Sequence, residues 1–557
     1  MKKLHVGFDT EDDKGTMTIF AWTHAPRVQE YRMADLSTQD EFIRDLARMS
    51  KNTQVCVWMI NISYDLVNFF GENMPSVLKL YMARKKIVGA TLKGHKNVNF
   101  YAVDRFLPKM SASAIGKSID CPKLELGFDD PKRCVRDALI AQKAGEKITQ
   151  TLDRLGIPLK FSPVSGALSA IEAEMGSRLP LARTWVREAG QSALYGARTE
   201  TVFRGEVVSK PGANLHYFDF NQQYGRAMLD TIPDYSVCDE AREPTEPDFI
   251  ADVTVRVTGK NGMAPLPYHH EEAGLIFPTG TFRNVWTSED LSLPGVEILK
   301  YHRTYSFPYR GAYLAPLVKK LIPKDRDTVI TKAIKKNLYT GLSGKWSQQN
   351  QWTFFTHWEK ALPKDYWNGV NLGDYILAQR EGDFPRWSNF VWSAFIQSKA
   401  RRWLWELYES IWKEGGQVLY TDTDSALCTL ANTINASRIL DRMSGRLKHK
   451  TIHKANVFGP KVYLFQDRRG NVISLSAKGI PGKLHENIVQ GEVEFEGEIP
   501  DSFFSLLRSK EITEEQGFKN RWANKKFRLA KSFRNRVPIG RDKTWTRPLR
   551  LENGIVV

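Results

Sequence analysis

Cysteine is scarce in this 557-residue chain: the five present (Cys56, Cys121, Cys134, Cys238 and Cys428) are scattered, with no CxxC pair and no zinc-ligand spacing. That argues against a disulfide framework or a structural zinc, and for reduced thiols in a cytoplasm-like compartment, a host cytoplasm if the chain is viral. No apolar run is long enough to span a bilayer. The opening MKKLHVGFDTED has lysines but no apolar stretch before Asp9, Glu11 and Asp12, so neither a signal peptide nor a membrane contact is expected. Internal repeats and low-complexity tracts are missing too, and 42% hydrophobic residues suit a folded body of several domains. Acidic charge is in deficit, 63 Asp+Glu against 80 Lys+Arg, for a net +17. A balance of this kind suits a polyanionic partner, although a highly soluble basic surface would look the same.

The first 190 residues alternate between strand and helix patterns, with strands at VGFDTE and QVCVWMINI and helices from Gln39 to Met49 and Arg133 to Gly145. This predicts an α/β domain with acidic residues at strand ends, joined through GQSALYGAR (190–198) to the next domain. LHYFDFNQQYGRAML reads as strand, turn and helix start. Residues 315–345 read as a lysine-studded helix ending at Gly341 and Gly344. A helix from Trp387 to Trp412 stops at Gly415 and Gly416 and feeds the β-run QVLYTDTDSALCTL. Between the two helices, TFFTHWEKALPKDYWNGVNLGDYILAQ looks like a β-rich hairpin insertion. The last 90 or so residues are basic and aromatic, with a FRLAKSFRNR run suited to gripping a duplex.

Two acidic sets carry chemistry. In Tyr420-Thr-Asp422-Thr-Asp424-Ser425, aspartates at i and i+2 around a turn place carboxylates at a hairpin tip, where they can hold hard divalent cations. Alone, such a turn reads more readily as a solvated loop. Asp219 closes the apolar strand of YFDFNQQY, a place equally open to a helix N-cap. In phosphoryl transfer Asp219 and Asp424 would bridge two metals, one activating a 3′-hydroxyl and the other steadying pyrophosphate. Tyr224 would lie under the incoming sugar and exclude a 2′-hydroxyl. Lys332 and Lys336 share a helix face, with Lys324 two turns back. Such lysines would bind a triphosphate, or form a solvated face. The second set is N-terminal. Asp9 and Glu11 share one face of a strand, Asp65 follows VCVWMI in Asn61-Ile-Ser-Tyr64-Asp65, and Asp137 lies in a helical run. Any one of these is a solvated carboxylate by default, whereas the four together match a two-metal nuclease site.

The order of an aspartate strand with Tyr224, a lysine helix ending in TGLSGKW, YTDTDS, then Lys461-Val-Tyr463 resembles motifs A, B and C and the KxY motif of family B DNA polymerases. The compact length is similar to the protein-primed members of phages and linear elements. Their two insertions would be residues 240–310 and 350–385 here. The resemblance implies an α/β and α+β multidomain chain: a right hand of palm, fingers and thumb behind a ribonuclease H-like 3′–5′ exonuclease domain. The boundaries would be exonuclease 1–190, palm 191–314 and 386–475, fingers 315–349, insertion 350–385 and thumb 476–557, with AKGIPGK (477–483) opening the thumb. It implies catalytic Asp219, Asp422 and Asp424, with metal on Asp219, the Phe220 backbone and Asp424. Lys461 and Tyr463 would steady the primer terminus. In the nuclease, Asp9, Glu11, Asp65 and Asp137 would hold metal while Asn61 and Tyr64 contact the single-stranded 3′ end. The same resemblance implies two Mg²⁺ or Mn²⁺ ions per active site, a DNA template and primer, dNTPs, a terminal priming protein and a monomeric state. It also implies strand displacement and processivity through the Trp352 to Gly382 insertion.

Four departures stand out. Gln222-Gln223-Tyr224-Gly225 replaces Ser-Leu-Tyr-Pro, and Thr340 to Gly344 replaces Asn-Ser-x-Tyr-Gly, which bears on fidelity. Tyr195-Gly196-Ala197-Arg198 replaces Tyr-x-Gly-Gly. Arg133 stands where motif III carries the tyrosine that orients the attacking water, and arginine cannot accept a proton. A non-catalytic DNA-binding replication factor would have lost Asp219 and Asp424, and an enzyme copying RNA is disfavoured by Tyr224 as a steric gate together with the intact set of nuclease carboxylates. Primer-independent initiation with the same chemistry stays open.

Overall fold

A computed structural model describes residues 2–13, 16–24, 27–32, 36–83, 86–127, 130–349, 351–357, 367–372, 375–385, 387–480, 482–500, 522–529, 535–540 and 542–557. The chain forms two compact units. The first comprises Met1–Leu179, Pro316–Pro385 and Pro500–Trp522, the second Pro180–Ala315, Arg386–Ile499 and Ala523–Val557.

The first unit is built on a seven-stranded sheet of β1 (Lys3–Asp13), β2 (Thr16–His24), β3 (Arg27–Arg32), β4 (Gln54–Met59), β5 (Leu78–Ala83), β6 (Lys86–Leu92) and β7 (Val98–Ala102), in the order β3-β2-β1-β4-β7-β6-β5. β1, β4 and β7 run parallel, with Val6 opposite Val57 and Val57 opposite Phe100. All five residues from Val55 to Met59 are buried, as befits a central parallel strand. One face is filled by a ring cluster in which Phe69 meets Phe8 at 5.0 Å and Phe20 at 4.9 Å, both edge-on.

The helix Pro131–Leu155 is longer than the pattern from 133 to 145 suggests. Asp130 caps its start by accepting from the Lys132 amide, Pro131 sits at its first turn, and Gly156 at φ 71° ends it. Two glycines let this helix approach the sheet. A Cβ on Gly7 would lie 1.8 Å from the Ala138 carbonyl oxygen, and one on Gly145 would lie 2.3 Å from the Trp58 ring. Side chains at either place would push Asp137 away from β1.

The single helix expected over 315–345 is instead two, Ala315–Leu321 and Val329–Lys345. Pro323 disfavours helix in the residue before it, and Thr328 starts the second helix by accepting from the Thr331 amide. Lys324 therefore sits in the connection, and its amide donates to Asp327 at 2.7 Å. It does not share the helical face of Lys332 and Lys336, which corrects the sequence reading. The second helix packs within this unit: Asn337 donates to the Arg105 carbonyl at 2.6 Å, and a Cβ on Gly341 would lie 2.3 Å from Val164. The insertion is a three-stranded antiparallel sheet, Gln351–His357, Tyr375–Glu381 and Trp367–Leu372 in that spatial order. Residues 358–366 and 373–374 of it lie outside the described residues, as do 530–534 of the FRLAKSFRNR run and Pro481 of AKGIPGK.

The second unit centres on a five-stranded sheet in which Asn214–Phe220 lies between Leu447–Ile452 and Ser425–Leu430, followed outward by Gln417–Asp422 and Thr199–Thr201. The helix Phe390–Lys413 packs against this layer and starts at Asn389, whose side chain accepts from the Trp392 amide, three residues later than the pattern suggests. A six-stranded sheet holds Phe249–Val257, Thr279–Thr287 and Val296–Ser306, and Arg550–Glu552 adds to it in parallel. Lys454–Gly459 and Val462–Gln466 pair in a further four-stranded sheet.

Candidate active sites

In the first unit, strand alternation sends Asp9 and Glu11 the same way, and the close-packed helix brings Asp137 to meet them. Ligand atoms of the three lie within 4.8 Å of one another. Asp65, on the helix Ile62–Phe70, is buried and accepts from the Thr10 hydroxyl at 3.0 Å and from its amide at 3.3 Å. Asn61 is exposed at the start of that helix, where its carbonyl accepts from the Tyr64 and Asp65 amides. Tyr64 is half-buried beside it.

Burial and mutual repulsion distort these carboxyls. Asp9 is held well above its ordinary value by burial and then by Asp65, Asp137 and Glu11, and burial pushes Asp65 up to about 8. The Asp65 Oδ2 and Asp137 Oδ1 atoms are buried with no hydrogen-bond partner among the described residues. Orphaned carboxylate oxygens in a crowded acidic nest fit hard divalent cations. Two cations of the chain itself already enter the nest. Lys123 pairs with Asp137, and Arg133 lies 3.4 Å from Glu11 and 4.0 Å from Asp137. Lys123 escaped the sequence reading because nothing in KLELGFDD marks it. Thr10 was available as the residue between two singled-out acids.

In the second unit Asp219 pairs across the sheet with Ser425, and the Phe220 amide donates to the Asp424 carbonyl at 2.8 Å. The Asp219 strand and the Asp424 turn are thereby locked side by side. Burial first, then Asp219 and Asp422, push the Asp424 carboxyl up to about 7. Asp422 has a different environment: its Oδ1 receives Lys461 Nζ at 2.7 Å and the Thr199 and Thr423 hydroxyls at 3.1 Å each. Asp219 and Asp422 thus both press on Asp424, while Asp422 is itself paired with Lys461. Phe220 is buried behind them.

Three non-glycine residues here have left-handed backbones: Gln222 at φ 56°, Thr423 at 62° and Lys461 at 60°. Each costs about 1–3 kcal/mol, and such strain collects at functional sites. The fold offsets it locally. The Thr423 amide donates to the Arg198 carbonyl at 2.7 Å, and the Lys461 amide donates to the Tyr420 hydroxyl at 2.9 Å. Arg198, at the end of the altered joint, and Thr199, which follows it, therefore position the turn; their sequence distance from it hid that role. Tyr224 is half-buried in the short helix Gln223–Ala227, its hydroxyl pushed up to about 12 by burial and by Asp424 and Asp422 against the opposing Arg401. Tyr463 is buried and stacked on Phe465 at 4.4 Å. On its own unit's helix, Lys336 is exposed and Lys332 half-buried, while the neighbouring Lys335 is buried against Asp327 at 2.8 Å.

The Asp424 shift has a sign that can be checked. A carboxyl raised from 3.8 to about 7 favours the metal-free fold below the lower value, and that stability is lost as pH rises through the upper one. A cation bound at Asp424 would compete with the proton there. Added Mg²⁺ should therefore raise the melting temperature clearly at about pH 8 and little at about pH 5.5, as followed by calorimetry. Equal shifts at both pH values would contradict this.

No protein-family model matches the sequence, and no curated protein matches it. Solved structures do match in fold. Phi29 DNA polymerase complexed with primer-template DNA and incoming nucleotides aligns with a TM-score of 0.70 and 14% identity, covering 95% of this chain and 99% of that one. The same polymerase in an orthorhombic crystal form aligns at 0.66 and 14% identity, covering 95% and 100%; its complex with single-stranded DNA gives the same values. Across nearly its whole length, the chain has the fold of phi29 DNA polymerase, and in fold it resembles the polymerases that its motifs resemble in sequence.

Proposed function

We propose that the protein is a template-directed DNA polymerase that adds dNTPs to a 3′-hydroxyl, with a 3′–5′ exonuclease that proofreads. The observation that carries this reading is the locking of Asp219 beside the Asp424 turn, in a fold shared end to end with a DNA polymerase.

Asp219 and Asp424, with the Phe220 backbone, would hold two Mg²⁺ or Mn²⁺ ions. When bound, these supply activation of the primer hydroxyl and stabilisation of the leaving pyrophosphate. Asp422 holds Lys461 at the edge of the site, where its ammonium steadies the primer terminus, and Tyr463 supports the strand beneath. The Tyr224 ring packs under the incoming sugar and leaves no room for a 2′-hydroxyl. Lys332 and Lys336 offset triphosphate charge. Asp9, Glu11, Asp65 and Asp137 would hold the nuclease ions, with Asn61 and Tyr64 on the frayed 3′ end. Residues 1–190 would then serve as the exonuclease, 191–314 and 386–475 as palm, 315–349 as fingers and 476–557 as thumb. A terminal protein as primer, and strand displacement through the 350–385 insertion, complete the reading.

The test is a recessed primer on a DNA template with Mg²⁺. With dNTPs the primer should lengthen, and without them it should shorten from its 3′ end. A primer unchanged in both lanes, with Mg²⁺ or Mn²⁺, would refute the proposal for this substrate.

A further inference from the structure

We infer that Arg133 is a resident counter-cation of the nuclease-like site: its guanidinium, held between Glu11 and Asp137, competes with divalent metal for those carboxylates and sets the concentration at which the site fills. The inference rests on the nuclease reading above and concerns how that site is regulated.

The placement is built into the helix. Arg133 and Asp137 are four residues apart and so share a face. All three side chains are nearly enclosed, with exposures of 11% for Arg133, 8% for Glu11 and 6% for Asp137. The guanidinium is also anchored from outside the acidic set, because its Nη1 donates to the Leu126 carbonyl at 3.2 Å. A tethered, enclosed charge is a stronger competitor than a flexible one, since little side-chain freedom remains to be lost.

Its chemistry sharpens the effect. Guanidinium keeps its charge at every relevant pH, so it cannot yield the site by losing a proton as a lysine could. With Lys123 on Asp137, two fixed cations face the Asp9, Glu11 and Asp137 carboxylates. Incoming metal must displace or share with them. A neutral side chain at position 133 removes one of the two cations that the described residues place there, and the attraction for a divalent ion rises.

The measurement is Mn²⁺ binding to the full chain, followed by loss of the free-ion paramagnetic resonance signal. All proteins carry Asp219→Asn and Asp424→Asn so that the other acidic pair does not contribute. Arg133→Met should tighten binding by about tenfold or more, whereas Arg133→Lys should stay near the native value. Arg133→Gln, which can still donate to Leu126, should also tighten it and serves if the methionine variant is unstable. Unchanged or weaker binding in both neutral variants, with binding abolished by Glu11→Gln, would overturn the inference and leave the metal site standing. Binding unaffected by Asp9→Asn and Glu11→Gln would remove the nuclease reading, and this inference with it.

Discussion

Asparagine in place of Asp424 is expected to cut primer extension by roughly a thousand-fold while leaving the metal-free protein at least as stable as the native chain. The two halves of this expectation have one cause. Asp424 is pushed up to about 7 by burial, Asp219 and Asp422, so above that pH its charge works against the fold. An amide keeps the shape and removes the repulsion, so melting at about pH 8 without metal should rise or stay level. In the proposed mechanism the same change removes one of the two carboxylates that would hold a cation beside the primer hydroxyl. A thousand-fold loss corresponds to about 4 kcal/mol of barrier. Extension within tenfold of native would show that Asp424 does not serve the chemistry. A large fall in melting temperature would show that it serves the fold instead.

Glu200→Gln should destabilise the second unit by about 3–5 kcal/mol, the range seen when a buried ion pair loses one partner. Glu200 is 1% exposed and bridges two arginines that are buried as well: Arg198 donates through Nε at 2.6 Å and Arg536 through Nη1 at 2.6 Å. Arg536 also donates to the Thr546 hydroxyl at 2.6 Å, and Arg198 lies over the Phe277 ring at 4.1 Å. Glutamine leaves two buried guanidinium charges facing a neutral amide. Burial raises the Glu200 carboxyl, but both arginines outweigh it and hold the group below its ordinary 4.5, so its contribution is present above that value and is lost as pH falls through the folded one. The damage should reach the chemistry, because the Arg198 carbonyl and the Thr199 hydroxyl hold the Asp422-Thr423-Asp424 turn. Urea unfolding together with extension rate checks this. A loss under 1 kcal/mol, by the scale of exposed pairs, would mean the bridge is dispensable.

Much of both sites was legible because short-range geometry dictates it. Period-two alternation puts Asp9 and Glu11 together, and an apolar strand carrying Asp219 near its end needs only its own pattern to be seen. The packing that aligns those groups was not legible. Gly7 looks like any glycine until Ala138 is found where its Cβ would be. Arg536 meets Glu200 across 336 residues of sequence, a distance over which no periodicity speaks. Lys123 and Arg133 show a third limit, since only the fold reveals that a basic residue neutralises an acidic set. The helix break at Pro323 is different. Its signal is present in the sequence, inside a stretch whose lysine spacing suggests one continuous helix.

The most direct test of the central claim is single-nucleotide addition on four recessed templates that differ only in the first unpaired base, with each dNTP supplied alone. The account predicts that the native chain adds the complementary nucleotide in every case, and that Asp424→Asn adds none on the same timescale. Addition that ignores the template base, or addition that survives in the Asp424→Asn chain, would contradict it.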